Sequence, residues 1–222
     1  MDETRRLVIA CATVIEEMLP LLPAGVGHRV LDFGLHTDPG KLRHALQDMI
    51  DTSSHAVDTI ILGYGLCSQG VVGLRATNCT LVVPRVDDCI AIFLGSGVAY
   101  RRQFRSEPGT YYLTKGWIEA GDGPFAEFER LAASRGPERA ERLVRLMLHN
   151  YTRLALINTG HYEIERYRDY ARRTAARFGL RFEEIEGSTV LVKKMIEGPW
   201  DDEFVVISPG EVIRFEDFFG KD

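Results

Sequence analysis

Residues 59–67 read Thr-Ile-Ile-Leu-Gly-Tyr-Gly-Leu-Cys, a strand-forming run that opens into a glycine-rich bend and reaches a cysteine. Consecutive β-branched and apolar residues bounded by glycine predict a short buried strand that ends near Leu62. The glycine-rich bend continues to Gly73. A strand that leads directly into such a loop is typical of α/β proteins, which bind ligands beyond the carboxyl ends of their parallel strands.

Two further segments repeat this order of apolar strand and cysteine. Residues 7–10 (Leu-Val-Ile-Ala) are followed directly by Cys11, and residues 81–84 (Leu-Val-Val-Pro) are followed five positions later by Cys89. If these runs are neighbouring parallel strands, their ends lie at one edge of one sheet. Cysteines that are far apart in the sequence would then converge in space.

Helical patterns alternate with the strands. Residues 41–52 carry apolar side chains at helical spacing, and Asp38 ahead of Pro39 is suited to cap that helix. A second helical region, over residues 125–150, is broken at residues 136–137 (Gly-Pro). This alternation predicts an α/β fold with mostly parallel sheet and with helices on both faces.

The length of 222 residues fits one large domain or two small lobes. We expect two Rossmann-like lobes around a cleft. Residues 1–105 would form the N-terminal lobe that carries the cysteines, and residues 106–222 would form the C-terminal lobe. A single compact domain built on one doubly wound sheet is the alternative.

Composition narrows the function classes. A net charge of -5 gives no general attraction to nucleic acid or to an anionic membrane. The apolar stretches are interrupted short of the ~20 residues that a membrane-spanning helix needs, and the N-terminus has no long apolar signal core. We therefore expect a cytoplasmic protein, in which a reducing environment keeps the four cysteines free.

Three cysteines and one histidine form the candidate metal set. His36 follows a predicted strand at residues 29–33, so it joins Cys11, Cys67 and Cys89 as a residue near a strand end. Three thiolates and one imidazole are a known tetrahedral zinc set, and the same thiolates could hold an iron–sulfur cluster or another soft metal. Buried free cysteine is also a common core residue, so a purely structural role stays open.

The loop after residues 59–62 supplies candidate cofactor-binding residues: Gly63, Gly65 and Ser68. Glycine lets backbone amides approach a ligand or a thiolate closely, and such amides lower the pKa of a thiolate. The loop lacks the Gly-Lys-Ser/Thr ending of a P-loop and the glycine spacing of the dinucleotide fingerprint. A tight turn that binds nothing is the alternative.

Five more residues are weaker candidates. Arg85 could orient an anionic substrate, Asp88 could act as a base, and Lys115 could line the cleft, which makes these three the catalytic candidates. A surface ion pair for Arg85 and helix capping for Asp88 are the structural alternatives. Gly160 and His161 follow a further strand and could present a helix N-terminus to an anion, although His161 could equally be solvated.

Several motifs together resemble the DUF1638 family. The resemblance rests on residues 61–70, 84–90 and 108–117, and it extends to residues 9–11 and 35–42. Members of this family are found near corrinoid-dependent methyltransferase systems, so the resemblance implies one-carbon or thiol and amine metabolism. The sequence has no Asp-x-His-x-x-Gly motif for binding a corrinoid in the familiar manner.

Two functions of different classes follow. The first is a metal-dependent enzyme, methyltransferase-like, in which a Cys/His-bound zinc ion activates a small thiol or alcohol substrate. A corrinoid protein or a methyltransferase would be its partner. The second is a non-catalytic carrier of a metal, an iron–sulfur cluster or a corrinoid. A plain α/β domain with structural cysteines is the remaining interpretation.

Overall fold

The computed structural model describes residues 5–121 and 123–219, except for the side chain of Ser68. The chain divides into two compact units. The first unit contains the described residues up to Ala99 and those from Ser188 onward. The second unit is Tyr100–Gly187. Each unit has its own sheet.

The first unit is built on a five-stranded sheet in the order β2-β1-β3-β4-β8, whose strands are β1 (Arg6–Cys11), β2 (Gly27–Leu31), β3 (Thr59–Gly63), β4 (Thr80–Pro84) and β8 (Phe204–Ile207). The first four strands run parallel, and β8 pairs antiparallel with β4. The apolar runs of β1, β3 and β4 are almost wholly buried. Such burial is typical of central strands in a parallel sheet, and the mostly parallel sheet confirms the predicted fold class.

Helices connect the strands of the first unit: α1 (Ala12–Met18), α2 (Pro39–Ser53), α3 (Cys89–Phe93) and α9 (Val190–Glu197), with α4 (Gly97–Ser106) crossing the boundary between the units. The predicted cap of α2 is confirmed. The Asp38 side chain accepts hydrogen bonds from the backbone amides of Gly40 and Lys41, and Pro39 occupies the first turn.

The second unit has a parallel sheet in the order β5-β6-β7, whose strands are β5 (Thr110–Leu113), β6 (Arg153–Asn158) and β7 (Arg181–Glu186). Its helices are α5 (Lys115–Ala120), α6 (Pro124–Arg135), α7 (Pro137–Met147) and α8 (Glu165–Phe178). The predicted break at Gly136-Pro137 is confirmed, since α6 ends at Arg135 and α7 begins at Pro137.

A buried arginine fixes the start of β6. The Arg153 guanidinium donates hydrogen bonds to Thr110 Oγ1 at 2.7 Å, to Gln103 Oε1 at 2.8 Å and to Glu183 Oε2 at 3.1 Å. Arg153 is the main reason that the pKa of Glu183 is lowered. Every terminal nitrogen of this buried cation therefore has a partner, as a buried charge requires.

The boundary between the units differs from the expected division at residue 105. Residues from Ser188 onward return to the first unit, because β8 pairs with β4 and the Ser188 amide donates to the Phe93 carbonyl at 2.8 Å. The apolar run of β8 fits the edge of either sheet, so its pattern does not specify its partner. In the described ranges of the chain, each helix is too short or too polar to cross a membrane.

Candidate thiolate site

Four predicted ligands lie at the carboxyl ends of four adjacent strands. Cys11 is the last residue of β1, His36 lies in the 3-10 turn after β2, Cys67 opens a 3-10 turn after β3, and Cys89 begins α3 after β4. The observed strand order β2-β1-β3-β4 places these ends side by side. The convergence that the sequence analysis made conditional on strand order is therefore present.

The thiols of Cys67 and Cys89 are in direct contact. The Cys89 thiol donates a hydrogen bond to the Cys67 sulfur, and the nearby His36 also lowers the pKa of Cys67. Cys11 lies close enough that Cys67 raises its pKa and that Cys11 in turn raises the pKa of Cys89. All three are buried and none forms a disulfide.

The contact shifts the pKa values of the two thiols in opposite directions. The hydrogen bond from Cys89 lowers the pKa of Cys67 to about 6, helped by His36 and by the Gly65 backbone amide and opposed by burial. The same hydrogen bond, together with burial, raises the pKa of Cys89 well above its usual range. At neutral pH the pair is therefore one thiolate, Cys67, and one thiol, Cys89.

Cys11 is held as a thiol. Burial raises its pKa, although its Sγ lies 3.0 Å from the Thr13 hydroxyl oxygen. Its backbone also forms the N-terminal boundary of α1. Cys11 thus adds a third sulfur that must lose a proton before it can ligate an ion.

His36 is oriented by its neighbours. Its Nδ1 lies 2.9 Å from the Phe33 carbonyl oxygen, so Nδ1–H donates there and Nε2 is the ring nitrogen that could ligate an ion. The imidazole stacks on Phe33 at 5.1 Å and on Tyr64 at 6.0 Å between ring centroids. A histidine that ligates a metal commonly donates its other ring nitrogen to a backbone carbonyl in this way.

The loop that carries Cys67 has an unusual backbone. Cys67 and Gln69 both adopt positive φ angles, 45° and 69°. Two hydrogen bonds hold the loop against the segment after β4, from the Leu66 amide to Val86 O at 2.8 Å and from the Cys67 amide to Asp87 O at 3.1 Å. Non-glycine residues in this region carry strain, which is concentrated at functional sites in proteins.

Two glycines let the site elements approach each other. A Cβ atom on Gly63 would lie 2.5 Å from the Ala10 Cβ, and one on Gly65 would lie 2.8 Å from the Asp88 Cα. Only glycine fits at either position without movement of the neighbouring strand or loop. Their role in binding a cofactor stays a prediction, and the side chain of Ser68 lies outside the described residues.

Arg85 and Asp88 hold the local structure. Asp88 Oδ1 accepts a hydrogen bond from the Ile90 amide at 2.8 Å and so caps α3. The Arg85 amide donates to Glu203 O at 2.7 Å, and Arg85 Nη2 donates to Phe204 O at 3.2 Å. The capping alternative therefore describes the contact of Asp88, whereas Arg85 contacts a backbone carbonyl and its Nε is buried without a partner among the described residues. A catalytic role for either residue stays a prediction.

Lys115, Gly160 and His161 belong to the second unit. They follow β5 and β6, which are adjacent parallel strands, so all three lie at one edge of the second sheet. Lys115 Nζ is 5.9 Å from the centroid of the Tyr162 ring, His161 is exposed, and Gly160 adopts a φ of 79°. Their sheet is not the one that carries the cysteines, and their predicted roles remain untested.

Tyr64 is a site residue that the sequence analysis missed. It is fully buried and its ring stacks on His36, yet its hydroxyl has no hydrogen-bond partner among the described residues. Burial raises its pKa, and the charges of Cys11, Cys67 and Cys89 raise it further. The signal in the sequence was a tyrosine between two glycines, three positions before Cys67.

Cys79 stands apart from this cluster. It precedes β4 and so lies at the opposite strand end, and burial raises its pKa. Over residues 5–121 and 123–219, no three His, Cys, Asp or Glu side chains are already arranged to hold a metal ion.

A family model described as a protein of unknown function, DUF1638, matches residues 30–196. The chain belongs to the DUF1638 family. The match confirms the resemblance and includes His36, Cys67 and Cys89, whereas Cys11 precedes it. No curated protein and no solved structure matches the chain. Membership of DUF1638 names no activity, so the function has to be argued from the site.

Proposed function

We propose that this DUF1638 chain is a metal-binding protein whose thiolate site takes a soft ion such as Zn²⁺ for thiol or methyl-transfer chemistry. The ligands are Cys11, Cys67, Cys89 and His36. The observation that carries the proposal is the electrostatic coupling of three buried thiols beside one imidazole, at the ends of four adjacent parallel strands.

The protonation states support metal uptake. Cys67 is already a thiolate at neutral pH, so an incoming cation meets one negative ligand at the outset. Cys11 and Cys89 give up their protons as they bind, since thiolate is the ligating form. With an ion bound, both sulfurs would hold it, and the Cys67–Cys89 hydrogen bond would no longer form.

His36 suits the fourth position. Its Nδ1–H is fixed on the Phe33 carbonyl, which makes Nε2 the ring nitrogen that would ligate the ion. The same bond prevents the ring from turning its other nitrogen to the site. His36 completes the resting set, or gives way when a substrate binds.

The reaction that we propose uses a small thiol or alcohol as substrate. When bound, the ion supplies a soft Lewis acid that keeps a substrate thiol deprotonated near neutral pH. Cys11, Cys67 and Cys89 hold it, and the Gly65 amide stabilises the charge on Cys67. A partner, such as a corrinoid protein or a methyltransferase, would provide the methyl group.

A non-catalytic carrier is the second candidate. Cys67 and Cys89 are only 8% and 4% exposed, which favours a held metal or iron–sulfur cluster over a site open to large substrates. The two candidates share the same ligands. Methyl transfer to an added thiol, measured with a methyl donor, favours the enzyme.

Metal analysis of anaerobically purified protein tests both candidates. We expect near-stoichiometric zinc or iron in the wild type and in the control Cys79→Ser. We expect its loss in Cys67→Ser and in Cys89→Ser. A visible thiolate-to-iron absorption would favour the cluster, and a folded wild-type protein that binds neither metal would rule out the proposal.

A further inference from the structure

Tyr64 is a buried donor without an acceptor. The side chain is fully buried, and its hydroxyl makes no hydrogen bond to any described residue. Buried tyrosine hydroxyls normally find a partner, because an unpaired buried donor loses its bond to water and gains nothing in return. Such a group is explained when a ligand supplies the missing acceptor.

The position of Tyr64 points to where that ligand binds. The ring stacks on His36 at 6.0 Å between centroids, and Tyr64 belongs to the loop that carries Cys67. No sulfur of Cys11, Cys67 or Cys89 accepts the proton of its hydroxyl. The hydroxyl therefore lies at the thiolate site and remains a donor for a further group there.

We infer that the Tyr64 hydroxyl donates a hydrogen bond to the substrate atom bound at the thiolate site, and that this substrate is a small thiol bound as a thiolate. The inference rests on the proposed function. On binding, the substrate thiol releases its proton to solvent, and the resulting sulfur anion accepts from Tyr64. Tyr64 is then a residue that determines specificity for an anionic sulfur.

The surroundings favour this class of ligand. The Tyr64 ring stacks on His36, which in turn stacks on Phe33, and these aromatic rings suit an apolar body. The Tyr64 hydroxyl is a neutral donor, and it suits one anionic atom such as the sulfur that the proposed soft ion would bind.

The first test uses metal-free protein. Tyr64→Phe removes a hydroxyl without a partner, so the melting temperature should stay the same or rise. The control is Tyr162→Phe, which loses a hydrogen bond from its hydroxyl to Ile157 O at 3.0 Å and should melt at a lower temperature. A lower melting temperature for Tyr64→Phe would mean that the protein itself supplies the acceptor, and the inference would be wrong.

The second test uses protein loaded with Co²⁺ and titrated with ethanethiol, with the thiolate-to-cobalt absorption as readout. We expect Tyr64→Phe to keep its cobalt affinity and to bind ethanethiol ~10-fold more weakly, since a hydrogen bond to a charged atom is lost. Equal ethanethiol affinity would overturn the inference while the metal site stands. Azide is the comparison anion. If Tyr64→Phe loses affinity for azide but not for ethanethiol, the inference is also overturned. A wild-type protein that takes up no cobalt would instead overturn the proposed function.

Discussion

The thiol of Cys89 donates a hydrogen bond to the sulfur of Cys67, and this contact joins the ends of two neighbouring strands. It lowers the pKa of one cysteine and raises that of the other. Packing alone does not account for such an asymmetry, because a core thiol is expected only to have its pKa raised by burial. The contact therefore gives Cys67 the character of a reactive or ligating thiolate.

The charge state of Cys67 can be followed directly. In metal-free protein, the ultraviolet absorbance of the thiolate should rise with a midpoint at about pH 6 and should be missing in Cys67→Ala. Cys89→Ala removes the main donor, so it should move the midpoint upward. Cys79→Ala is the control and should leave it unchanged. A midpoint near 9.0, the ordinary value, would contradict the assignment.

Stability should depend on pH through the same group. The folded-state pKa of Cys67 is lowered from 9.0 to about 6, so between these values the folded protein has released a proton that the unfolded chain retains. The stabilisation is complete above the unfolded pKa and is lost as pH falls through the folded one, with a slope of at most about 1.4 kcal/mol per pH unit.

Urea unfolding of metal-free wild type and Cys67→Ala measures this effect. The difference in their free energies of unfolding should be larger at about pH 8 than at about pH 6. Cys89 does not alter the sign, because its raised pKa keeps it a thiol in both states across this window. A difference that does not change with pH would show that Cys67 is an ordinary thiol.

His36→Phe separates stacking from ligation. Phenylalanine keeps an aromatic ring between Phe33 and Tyr64 but removes Nε2 and the influence of the imidazole on Cys67. We expect zinc affinity, measured by competition with a chelator, to fall by about 10- to 100-fold. His44→Phe is the control, because His44 is an exposed residue of α2. If both variants bind zinc like the wild type, His36 is only a packing residue.

Gly65→Ala should disturb the Cys67 loop. The added Cβ would lie 2.8 Å from the Asp88 Cα, and the backbone would have to shift at the amide that supports Cys67. We expect a loss of about 1–3 kcal/mol in the free energy of unfolding and weaker metal binding. Gly136→Ala, at a φ of 82° with open space around it, should lower stability but leave metal binding intact. If the wild type, Gly65→Ala and Gly136→Ala bind metal equally well, the loop that carries Cys67 is not preorganised for metal binding.

Local and pattern-based features could be predicted from the sequence. The cap by Asp38 depends on neighbouring residues, and the apolar runs before Cys11, Cys67 and Cys89 identified central parallel strands. Because the carboxyl ends of parallel strands lie at one edge of a sheet, the convergence of these cysteines could be predicted from those runs. The partner of β8 could not be predicted, since the choice between two sheet edges depends on tertiary packing.

The chemistry inside the cluster was less accessible to sequence patterns. Which of Cys67 and Cys89 becomes the thiolate depends on the direction of one hydrogen bond between residues on different loops. Tyr64 looked like an ordinary residue of a turn, because its missing partner is visible only in three dimensions. Asp88, in contrast, was predicted as a candidate catalytic base, and the structure shows its side chain capping α3.

X-ray absorption at the zinc edge of the zinc-loaded protein tests the central claim most directly. We predict a shell of three sulfurs at about 2.3 Å and one imidazole nitrogen at about 2.0 Å. The sulfur count should fall by one in Cys67→Ser and stay unchanged in Cys79→Ser. A first shell made only of oxygen and nitrogen, or one that keeps its sulfurs without Cys67, would contradict the account.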